Sequence, residues 1–581
     1  MRPSEVSEHR TQRSSASFKL RKRMQGFSTT EFAIRGVVKI SAIFVLTTFH
    51  FICANHAAAQ SEPQINLPHA ADISKTPLGS APVARKLRAP TLEEHRVKPL
   101  RLTQRAVALP DPVVQTSVSR PFGVGSSGKA TQASAAEAAG KAVLSFEGIG
   151  AYNYSIPAVP SDTTGAAGRT QYVEWVNEAL AVFDKTTGQM HGPYEGSVLW
   201  KDFARQPDGS LNSCEKYNNG DPIVEYDKIH DRWLLSQFAI TNGPPFFECV
   251  AVSTSGDALG KYYRYAYRFD KFNDYPKFGV WANGYYATFN MFDSGDKPTG
   301  GKSCAFNASK MLTGNPTAEM ICFDTPYGGL LPADFDGPTD RLPEGGGLFV
   351  SFTSNEFLNL WKLTPDWSSK PSTATFTGPL HIAVPPFTVA CGDAGSCVPQ
   401  KESDQRLESL GDRLSFRLTY RRFADHDSLV AIHSVQVVGK SGQSRTGIRW
   451  YEIRNVGAFH PTVYQASTYA PDDGIFRWMG SAAMDKLGNL VIGYSAAGRD
   501  LFPSVRYAGR LADDELNTLS DENTAVEGTG SQAADRWGDY SSMTIDPEDD
   551  CTFWLTNEYL GKSGSYNWRT HIRRLRFPNC H

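Results

Sequence analysis

The sequence predicts an all-β fold, and three observations lead to that prediction. From Tyr172 onward, short segments rich in Val, Ile, Tyr, Phe and Trp alternate with turns of Gly, Asn and Asp. Almost no segment keeps a helical period over more than two or three turns. One hairpin pattern recurs, with a polar opening, a strand, a turn at Asp or Asn and an apolar second strand. The body of the protein is therefore expected to consist of antiparallel strands.

The charge distribution excludes a nucleic-acid-binding body, and the composition excludes global disorder. Residues 146–581 contain 39 Lys and Arg against 52 Asp and Glu, a net charge of −13, whereas binding to phosphates needs a basic face. The chain has only 21% charged residues, with 11 Trp, 23 Tyr and 33 Phe. Such a chain can bury enough apolar surface to offset the entropy cost of folding.

The first 59 residues are predicted to be a signal peptide. A basic stretch, Arg21–Arg23, and a last charge, Lys39, precede the apolar run Ile40–Ala54, which is too short to span a membrane. Ala57–Ala59 supplies the small residues of a cleavage site, so the mature chain would begin near Gln60. The mature chain is expected to be exported to the periplasm, the medium or the cell surface, without a membrane span.

Two alternatives for this segment stay open. It could be retained as a membrane anchor. Gly26–Glu31 could also be the processing site of a type IV pilin precursor, which pairs a Gly before the cut with Phe and Glu after it. In a pilin a long apolar helix would follow, but Arg35 and Lys39 interrupt this segment.

Residues 60–145 are predicted to be a linker or pro-region, and residues 146–581 the folded domain. The linker contains nine Pro, runs of Ala, Ser and Gly, and one aromatic residue, Phe122. Such a segment cannot form an apolar cluster of its own. A basic patch from Arg85 to Arg105 could dock on the acidic domain, although a solvated tether is the simpler interpretation.

The cysteines agree with export. Cys53 leaves with the signal peptide, and the even number that remains is typical of disulfides in an exported chain. Pairing in sequence order closes only local loops. No Cys or His cluster has zinc spacing, which argues against a metal–thiolate site. The pairs in sequence order are Cys214 with Cys249, Cys304 with Cys322, Cys391 with Cys397, and Cys551 with Cys580.

The recurring hairpin predicts the architecture. Its copies begin near residues 172, 221, 274, 412, 479 and 538. The interval from 274 to 412 is about twice the others, so another unit is placed near 343, where Gly345–Phe352 supplies a strand. Seven such units predict a seven-bladed β-propeller of four-stranded antiparallel sheets, with Phe146–Gly168 on the first blade or closing the ring. A large array of β-sandwiches is the alternative, but it does not explain the recurring hairpin.

Polar residues open most of the repeats. In a propeller the first strand of each blade lines a central channel, so these residues are expected to meet at one mouth of it. Crowded carboxylates shift each other's pKa and favour a cation, a general acid or hydrogen bonds to sugar hydroxyls. The simpler interpretation is that each Asp accepts backbone N–H groups at a strand start. The residues predicted to bind a ligand there are Asp221, Asp274, Tyr275, Lys277, Asp412, Arg413, Asp539 and Tyr540.

Four arginines, Arg417, Arg421, Arg449 and Arg506, lie in strand-like segments. Arg417, Arg449 and Arg506 are further candidates for ligand binding. A guanidinium in an apolar strand needs a partner. Its fork of N–H donors suits the carboxylate of a ligand as well as an internal Asp. Structural ion pairs between blades are the alternative.

Calcium is the one cofactor for which the sequence offers candidate ligands. Asp334, Asp336 and Asp340 are spaced around a turn Gly, as in part of a calcium loop. They do not supply by themselves the roughly six to eight oxygens that Ca²⁺ takes, and an exposed turn is the simpler interpretation.

Catalysis has weaker support. Asp539, Tyr540 and Asp221 are candidate acid, base or nucleophile residues of a glycoside hydrolase or polysaccharide lyase. No GxSxG, HExxH or Walker-type loop occurs in the sequence. Burial of Asp539 and Tyr540 in contacts between blades would argue against an enzyme.

Motifs in the second half of the chain resemble a family of exported bacterial proteins of undefined activity. They are Arg477–Asp485, Pro503–Arg510 and Arg536–Pro547, and the resemblance runs from about Asp221 to Tyr559. Propellers of this kind are similar in general shape to sialidases, which implies a sialidase-like scaffold. The sialidase Asp box, Ser-x-Asp-x-Gly-x-x-Trp, occurs nowhere in the sequence, so no sialidase residue is transferred.

The sequence thus predicts an exported, monomeric propeller that binds a glycan or a surface protein at the mouth of its channel. A glycoside hydrolase or polysaccharide lyase on the same scaffold is the alternative. The two differ in geometry, because glycosidase catalysis needs two ionisable groups about 5–9 Å apart across a pocket.

Overall fold

The structure is a computed structural model that describes residues 144–153, 158–201, 203, 212–241, 243–293, 297–352 and 354–581. The predicted signal peptide and nearly all of the predicted linker lie outside the described residues. The chain divides into two units, residues 1–65 and 66–581, and every described residue belongs to the second. In this described part of the chain, no helix is long and apolar enough to cross a membrane.

The described residues form an all-β fold of four-stranded antiparallel sheets, as predicted. Each of the first three sheets is a meander of strands that are consecutive in the chain. Sheet 1 comprises β2 (Thr164–Ala167), β3 (Gln171–Val176), β4 (Ala179–Asp184) and β5 (Met190–Glu195). Sheet 2 comprises β6 (Ile223–Asp227), β7 (Arg232–Ala239), β8 (Phe246–Ser253) and β9 (Tyr262–Phe269). Sheet 3 comprises β10 (Phe272–Trp281), β11 (Gly284–Phe292), β12 (Pro298–Phe306) and β13 (Met320–Thr325).

Sheets 4 and 5 are joined by hydrogen bonds. Their first strands, β14 and β21, pair in parallel, and the short β18 adds to β22, which makes one nine-stranded sheet. Sheet 4 comprises β14 (Leu331–Phe335), β15 (Gly347–Phe352), β16 (Phe357–Asp366) and β17 (Thr373–Ala383). Sheet 5 comprises β21 (Leu418–Arg422), β22 (Asp427–Val438), β23 (Ser444–Arg454) and β24 (Thr462–Tyr469). Between them lie β18 (Thr388–Val389) and a hairpin of β19 (Ser396–Gln400) and β20 (Ser403–Glu408).

The last sheet is completed by the first strand of the described chain. β1 pairs with β31, so sheet 7 joins the beginning of the folded domain to its end. Sheet 6 comprises β25 (Phe476–Met484), β26 (Leu490–Gly498), β27 (Leu501–Arg510) and β28 (Asn523–Val526). Sheet 7 comprises β29 (Ser542–Ile545), β30 (Thr552–Leu560), β31 (Trp568–Arg576) and β1 (Ser145–Gly150).

Helices are short in the described residues. α1 (Ser213–Lys216) and α2 (Ala308–Met311) each make one turn, and Gly196–Trp200 and Gly392–Ala394 are 3₁₀ turns. The Asn212 side chain caps α1 by accepting a hydrogen bond from the backbone N–H of Cys214.

Asp residues make the turn after several first strands, as the recurring hairpin predicts. Asp227, Asp485 and Asp546 each accept, through Oδ1, the backbone N–H two residues further on, at 2.9–3.0 Å. An Asp side chain closes such a turn by imitating a backbone carbonyl. The repeated Asp is therefore a structural requirement of the hairpin.

The first strands stand side by side in a closed row. β2, β6, β10, β14, β21, β25 and β29 each contact the next, and β29 contacts β2. Because the row returns to its beginning, the sheets are arranged in a propeller-like manner around a central axis.

The core lies between neighbouring sheets. Ten of the 11 Trp side chains are fully buried, and they fill these interfaces together with residues from both partners. Val250 of sheet 2, for example, belongs to the same apolar cluster as Phe278 and Tyr285 of sheet 3. Second strands such as β26 are buried on both faces, which explains their continuous apolar sequence.

Two units begin earlier than the sequence pattern indicates. Tyr172–Val176 and Gly345–Phe352 correspond to second strands, β3 and β15, while the first strands are β2 and β14. The segment Phe146–Gly168 both closes the ring, through β1, and supplies the first strand of sheet 1.

The four disulfides follow sequence order, as predicted. Cys214 bonds to Cys249, Cys304 to Cys322, Cys391 to Cys397 and Cys551 to Cys580. The last of them ties the end of the chain to sheet 7.

Candidate functional site

Three of the predicted openings meet at one end of the ring. Asp221 lies two residues before β6, Tyr275 is near the start of β10, and Tyr540 lies two residues before β29. The Tyr540 hydroxyl donates to Asp221 Oδ2 at 3.1 Å, and the Tyr275 hydroxyl donates to the Asp539 carbonyl oxygen at 3.4 Å. These contacts join sheets 2, 3 and 7. The mouth cluster, as we call it, consists of Asp162, Asp221, Asp274, Tyr275, Lys277, Glu408, Asp412, Arg413, Arg536, Asp539 and Tyr540.

The backbone turns in an unusual way where these strands begin. Asp162, Asp221, Tyr275 and Met479 have φ angles of 47°, 45°, 55° and 51°. The pairing of β10 with β11 also shifts its register just beyond Asp274. Residues other than Gly, Asn and Asp seldom adopt this left-handed region, and bulges of this kind redirect side chains next to functional sites. Four sheets therefore use the same device near the start of the first strand.

Lys277 is the buried cation of the mouth cluster. Its Nζ lies 2.9 Å from the centroid of the Tyr275 ring and 3.7 Å from that of Tyr540. Burial lowers the pKa of Lys277 well below its usual value, and nearby carboxyl groups, Asp221 first, act in the opposite direction. The two ring faces replace part of the water that an exposed ammonium would bind.

Three carboxyl groups of the cluster are destabilised as anions. Burial, followed by the charge of Asp539, raises the pKa of Asp162 to about 8. Burial raises the pKa of Asp221 well above its usual value, with Asp162 and Asp274 adding to the effect. The pKa of Asp274 is raised in the same way, by burial and then by Asp539. Burial and the neighbouring carboxyl groups thus favour the protonated form of Asp162, which reduces the negative charge in the buried part of the cluster.

The rim of the cluster is partly exposed and carries both signs of charge. Asp539, with a side chain 15% exposed, accepts a hydrogen bond from Arg536 at 2.8 Å. Arg536 also contacts Glu408, whose pKa burial raises to about 7. Arg413 is paired with the neighbouring Asp412 at 2.8 Å. The rim thus presents donors and acceptors side by side.

Sequence reasoning missed three members of the cluster: Asp162, Glu408 and Arg536. Asp162 had a signal, because it lies two residues before β2 just as Asp221 lies two residues before β6. Glu408 belongs to the β19–β20 hairpin, which lies outside the repeat and gives no periodic signal.

Arg417 is not part of the mouth cluster but lies further along the first strands. Its guanidinium donates to Asp334 Oδ2 at 2.9 Å and to Asp336 Oδ1 at 2.7 Å, and it is 3.7 Å from Glu225. It also donates to the Met543 carbonyl oxygen at 2.9 Å. With these partners on β6, β14 and β29, Arg417 connects first strands of four sheets. It forms the structural ion pair that the sequence left as the alternative.

Arg449 and Arg506 also lie away from the mouth cluster. They belong to β23 and β27, the third strands of sheets 5 and 6. Arg449 donates to Thr468 Oγ1 at 2.6 Å, and Arg506 donates to Glu527 Oε1 at 2.8 Å. The sequence does not show whether such an Arg lies on a first or a third strand, because the apolar residues around it are similar in both kinds of strand.

Two of the three calcium candidates are occupied as partners of Arg417. Asp334 and Asp336 accept its hydrogen bonds, whereas Asp340 is an exposed turn residue. Among the described residues, no group of three or more His, Cys, Asp and Glu side chains has the arrangement needed to hold a metal ion.

The three catalytic candidates differ in their access to solvent. Tyr540 is buried, and its hydroxyl lies 3.1 Å from both Asp221 Oδ2 and the Pro276 carbonyl oxygen. Asp539 remains half-buried at the rim. Glu408, which was not predicted, combines partial exposure with a pKa of about 7. Of these groups, Glu408 is best suited to exchange a proton with a ligand near neutral pH.

Comparisons with known proteins give no family. No protein-family model and no curated protein matches the chain. Solved structures that are similar include the WD40 domain of SCAP from fission yeast, with 6% identity, 73% of this chain and 83% of that chain covered, and a TM-score of 0.28. An exo-β-1,3-galactanase from Clostridium thermocellum has 9% identity, 74% and 86% coverage and a TM-score of 0.28.

A PL25 polysaccharide lyase, an ulvan lyase, is a further similar structure, with 10% identity, 70% and 78% coverage and a TM-score of 0.25. Scores this low carry no argument about this chain. The resemblance to a family of exported bacterial proteins stays a prediction.

Proposed function

We propose that this protein is an exported seven-bladed β-propeller that binds an extracellular glycan at the rim of the mouth cluster. The observation that carries the proposal is that two carboxyl groups, the half-buried Asp274 and Asp539 at the rim, lie on first-strand openings of different sheets beside Arg413 and Arg536. Carboxylates accept hydrogen bonds from sugar hydroxyls and guanidinium groups donate to them, so both kinds of partner stand at one opening.

The number of blades is supported by the row of first strands. Seven four-stranded sheets can be counted in the described residues when the nine-stranded sheet is divided between β14 and β21. Each contributes one first strand to the closed row of contacts. The pairing of β1 with β31 would then act as the closure of the ring.

Export is supported by the cysteines. All eight Cys of the folded domain are in disulfides, and disulfides persist in oxidising compartments outside the cytosol. The predicted signal peptide, residues 1–59, would direct the chain there.

The polar character of the rim favours a ligand with many hydroxyl groups over a large apolar one. Tyr275 and Tyr540 are buried and turned toward Lys277, so their faces are not available for packing. What a ligand meets at the rim is polar and charged. A saccharide, whose hydroxyl groups both donate and accept hydrogen bonds, meets these requirements.

A glycan array tests the proposal. The purified protein is expected to bind a defined subset of glycans, and Asp274→Asn and Asp539→Asn are each expected to weaken that binding about tenfold, since each replaces a carboxyl group that hydrogen-bonds a sugar hydroxyl by an amide with one oxygen fewer. Asp324→Asn is the matched control, because Asp324 is 58% exposed on β13 and pairs only with Lys302. Loss of binding in the control, or none in the two rim variants, would contradict the proposal.

A glycoside hydrolase or polysaccharide lyase is the second candidate, and Glu408 is the observation that favours it. A carboxyl group with a pKa of about 7 beside Asp539 has the protonation behaviour of a general acid or base. The glycans that bind are therefore to be incubated with the protein and analysed by mass spectrometry. Cleavage products that are formed by the unchanged protein and not by Glu408→Gln would show that the protein is an enzyme. Binding without cleavage products would support the binding module.

A further inference from the structure

The β19–β20 hairpin is fixed firmly against the rest of the protein. Val398 and Leu407 are fully buried in an apolar cluster with residues such as Trp478. The side chain of Gln400 makes a reciprocal pair with the backbone of Gln532, accepting from its N–H at 2.7 Å and donating to its carbonyl at 3.0 Å. A surface formed by this hairpin is therefore preformed.

A groove lies between this hairpin and the turn from β26 to β27. Its volume is about 390 Å³, within the range of about 300–1,000 Å³ that is usual for small-molecule sites. Its lining residues are Pro399, Gln400, Glu402, Ser403, Asp404, Arg406 and Arg499.

Two guanidinium groups in the groove are without carboxylate partners. Within the described part of the chain, Arg406 and Arg499 form no ion pair, whereas Arg413, Arg417 and Arg536 each form one. An unpaired Arg beside a concave surface offers its fork of donors to a ligand carboxylate.

The groove also carries acceptors. Glu402 and Asp404 are exposed at its edge, so the four charged side chains sum to no net charge. A polyanion would gain little from such a surface. A unit with one carboxylate and several hydroxyls suits it, since the carboxylate accepts from the arginines while the hydroxyls donate to Glu402 and Asp404.

The groove continues toward the mouth cluster. Arg406, which lines the groove, and Glu408 of the mouth cluster are two residues apart on β20 and flank the buried Leu407. Glu408 contacts Arg536, which in turn binds Asp539 at 2.8 Å. One polar surface therefore leads from the groove to the rim.

We propose that the groove between the β19–β20 hairpin and Arg499 binds a uronic acid unit of the glycan whose neighbouring sugars occupy the mouth. The inference rests on the proposed function for the class of ligand. It narrows that class to acidic glycans, with Arg406 and Arg499 holding the carboxylate.

Calorimetric titration of the full exported chain with trigalacturonic acid tests this inference, with galactotriose as the neutral probe. The Arg406→Gln/Arg499→Gln double variant is expected to bind trigalacturonic acid about tenfold more weakly than the unchanged protein, because a charged pair becomes a neutral contact. Its affinity for galactotriose should not change. Added salt should weaken binding of the acidic probe only.

The matched control is Arg268→Gln, since Arg268 is 43% exposed on β9 and pairs only with Asp270. It should bind both probes as the unchanged protein does. Equal affinity of the double variant and the unchanged protein for trigalacturonic acid would overturn the inference, as would failure of the unchanged protein to bind it.

The two proposals can fail separately. If Asp274→Asn leaves binding of both probes intact while the double variant no longer binds the acidic probe, the proposed site at the mouth is contradicted and the proposed site in the groove is supported. If Asp274→Asn weakens both probes while the double variant weakens neither, the groove is wrong and the mouth stands.

Discussion

Lys277 and Arg417 are buried cations on first strands, and they differ in how their charge is balanced. Lys277 faces two tyrosine rings, and burial lowers its pKa well below the usual value. Arg417 meets Asp334, Asp336 and Glu225, which raise its pKa well above the usual value against the effect of burial. The surroundings of Lys277 favour loss of its proton, whereas the carboxylates around Arg417 keep its guanidinium charged.

Removal of the Arg417 charge is expected to destabilise the fold strongly. Arg417→Met leaves Asp334 and Asp336 buried without their cation, and loss of one partner of a buried pair costs about 3–5 kcal/mol of unfolding free energy. Urea denaturation followed by tryptophan fluorescence measures this loss.

Arg422→Met on the same strand is the control for this measurement. Arg422 is 40% exposed and its partner Glu344 is 83% exposed, so the change should stay within about 1 kcal/mol. Equal losses in both variants would mean that the Arg417 cluster is no more important than a surface pair.

The partners of Arg417 also mark where sequence-based prediction stops at this scale. Asp334 and Asp336 lie 83 and 81 positions away in the chain, and no local pattern connects them. Asp221, Tyr275 and Tyr540 could be predicted to lie close together, because each lies at the start of its repeat.

The elements of the fold show which strands a sequence reveals. Second strands such as β26 are apolar throughout, since both of their faces are covered by neighbouring sheets. First strands pack against one another around the central axis. β2 is Thr-Gly-Ala-Ala and β14 is Leu-Pro-Ala-Asp-Phe, so each contains a single β-branched or aromatic residue, too few to indicate a strand. This is the reason why two of the units were predicted to begin too late.

The disulfides should differ in their effect on stability according to the length of chain they close. Cys551–Cys580 closes 29 residues and Cys391–Cys397 only 6. On the loop-entropy relation, Cys551→Ser/Cys580→Ser should cost about 3–4 kcal/mol and Cys391→Ser/Cys397→Ser about 2 kcal/mol. Urea midpoints of the two double variants check the order, and the reverse order would contradict this account.

At the scale of the whole molecule, β1 controls the closure of the ring. It supplies the fourth strand of sheet 7, and its Ile149 is fully buried between β31 and its neighbours. The regular spacing of the repeats predicted a ring from the sequence. The sequence does not show how many strands of sheet 7 come from the beginning of the domain and how many from its end. An edge strand of mixed polarity such as β1 could pair with several sheets.

Ile149→Ala is expected to lower the thermal midpoint of the whole domain in one transition. Loss of the buried side chain costs about 2–5 kcal/mol, and because β1 joins both ends, the loss should be shared by the ring. Differential scanning calorimetry measures this. Val438→Ala is the control, with Val438 65% exposed. A separate early transition would show that sheet 7 unfolds independently.

The parallel pairing of β14 with β21 gives the ring an uneven stiffness. Its hydrogen bonds, with Ala333 opposite Leu418 and Phe335 opposite Tyr420, join sheets 4 and 5 into one continuous sheet. The other neighbouring sheets share no ladder of backbone hydrogen bonds among the described residues, although single backbone bonds such as Lys486 N–H to the Asp550 carbonyl at 2.9 Å cross between them. We therefore expect local opening to begin at those interfaces. Water is expected to reach Arg417 late in such opening, because its partner Asp334 lies on β14, one of the two paired strands.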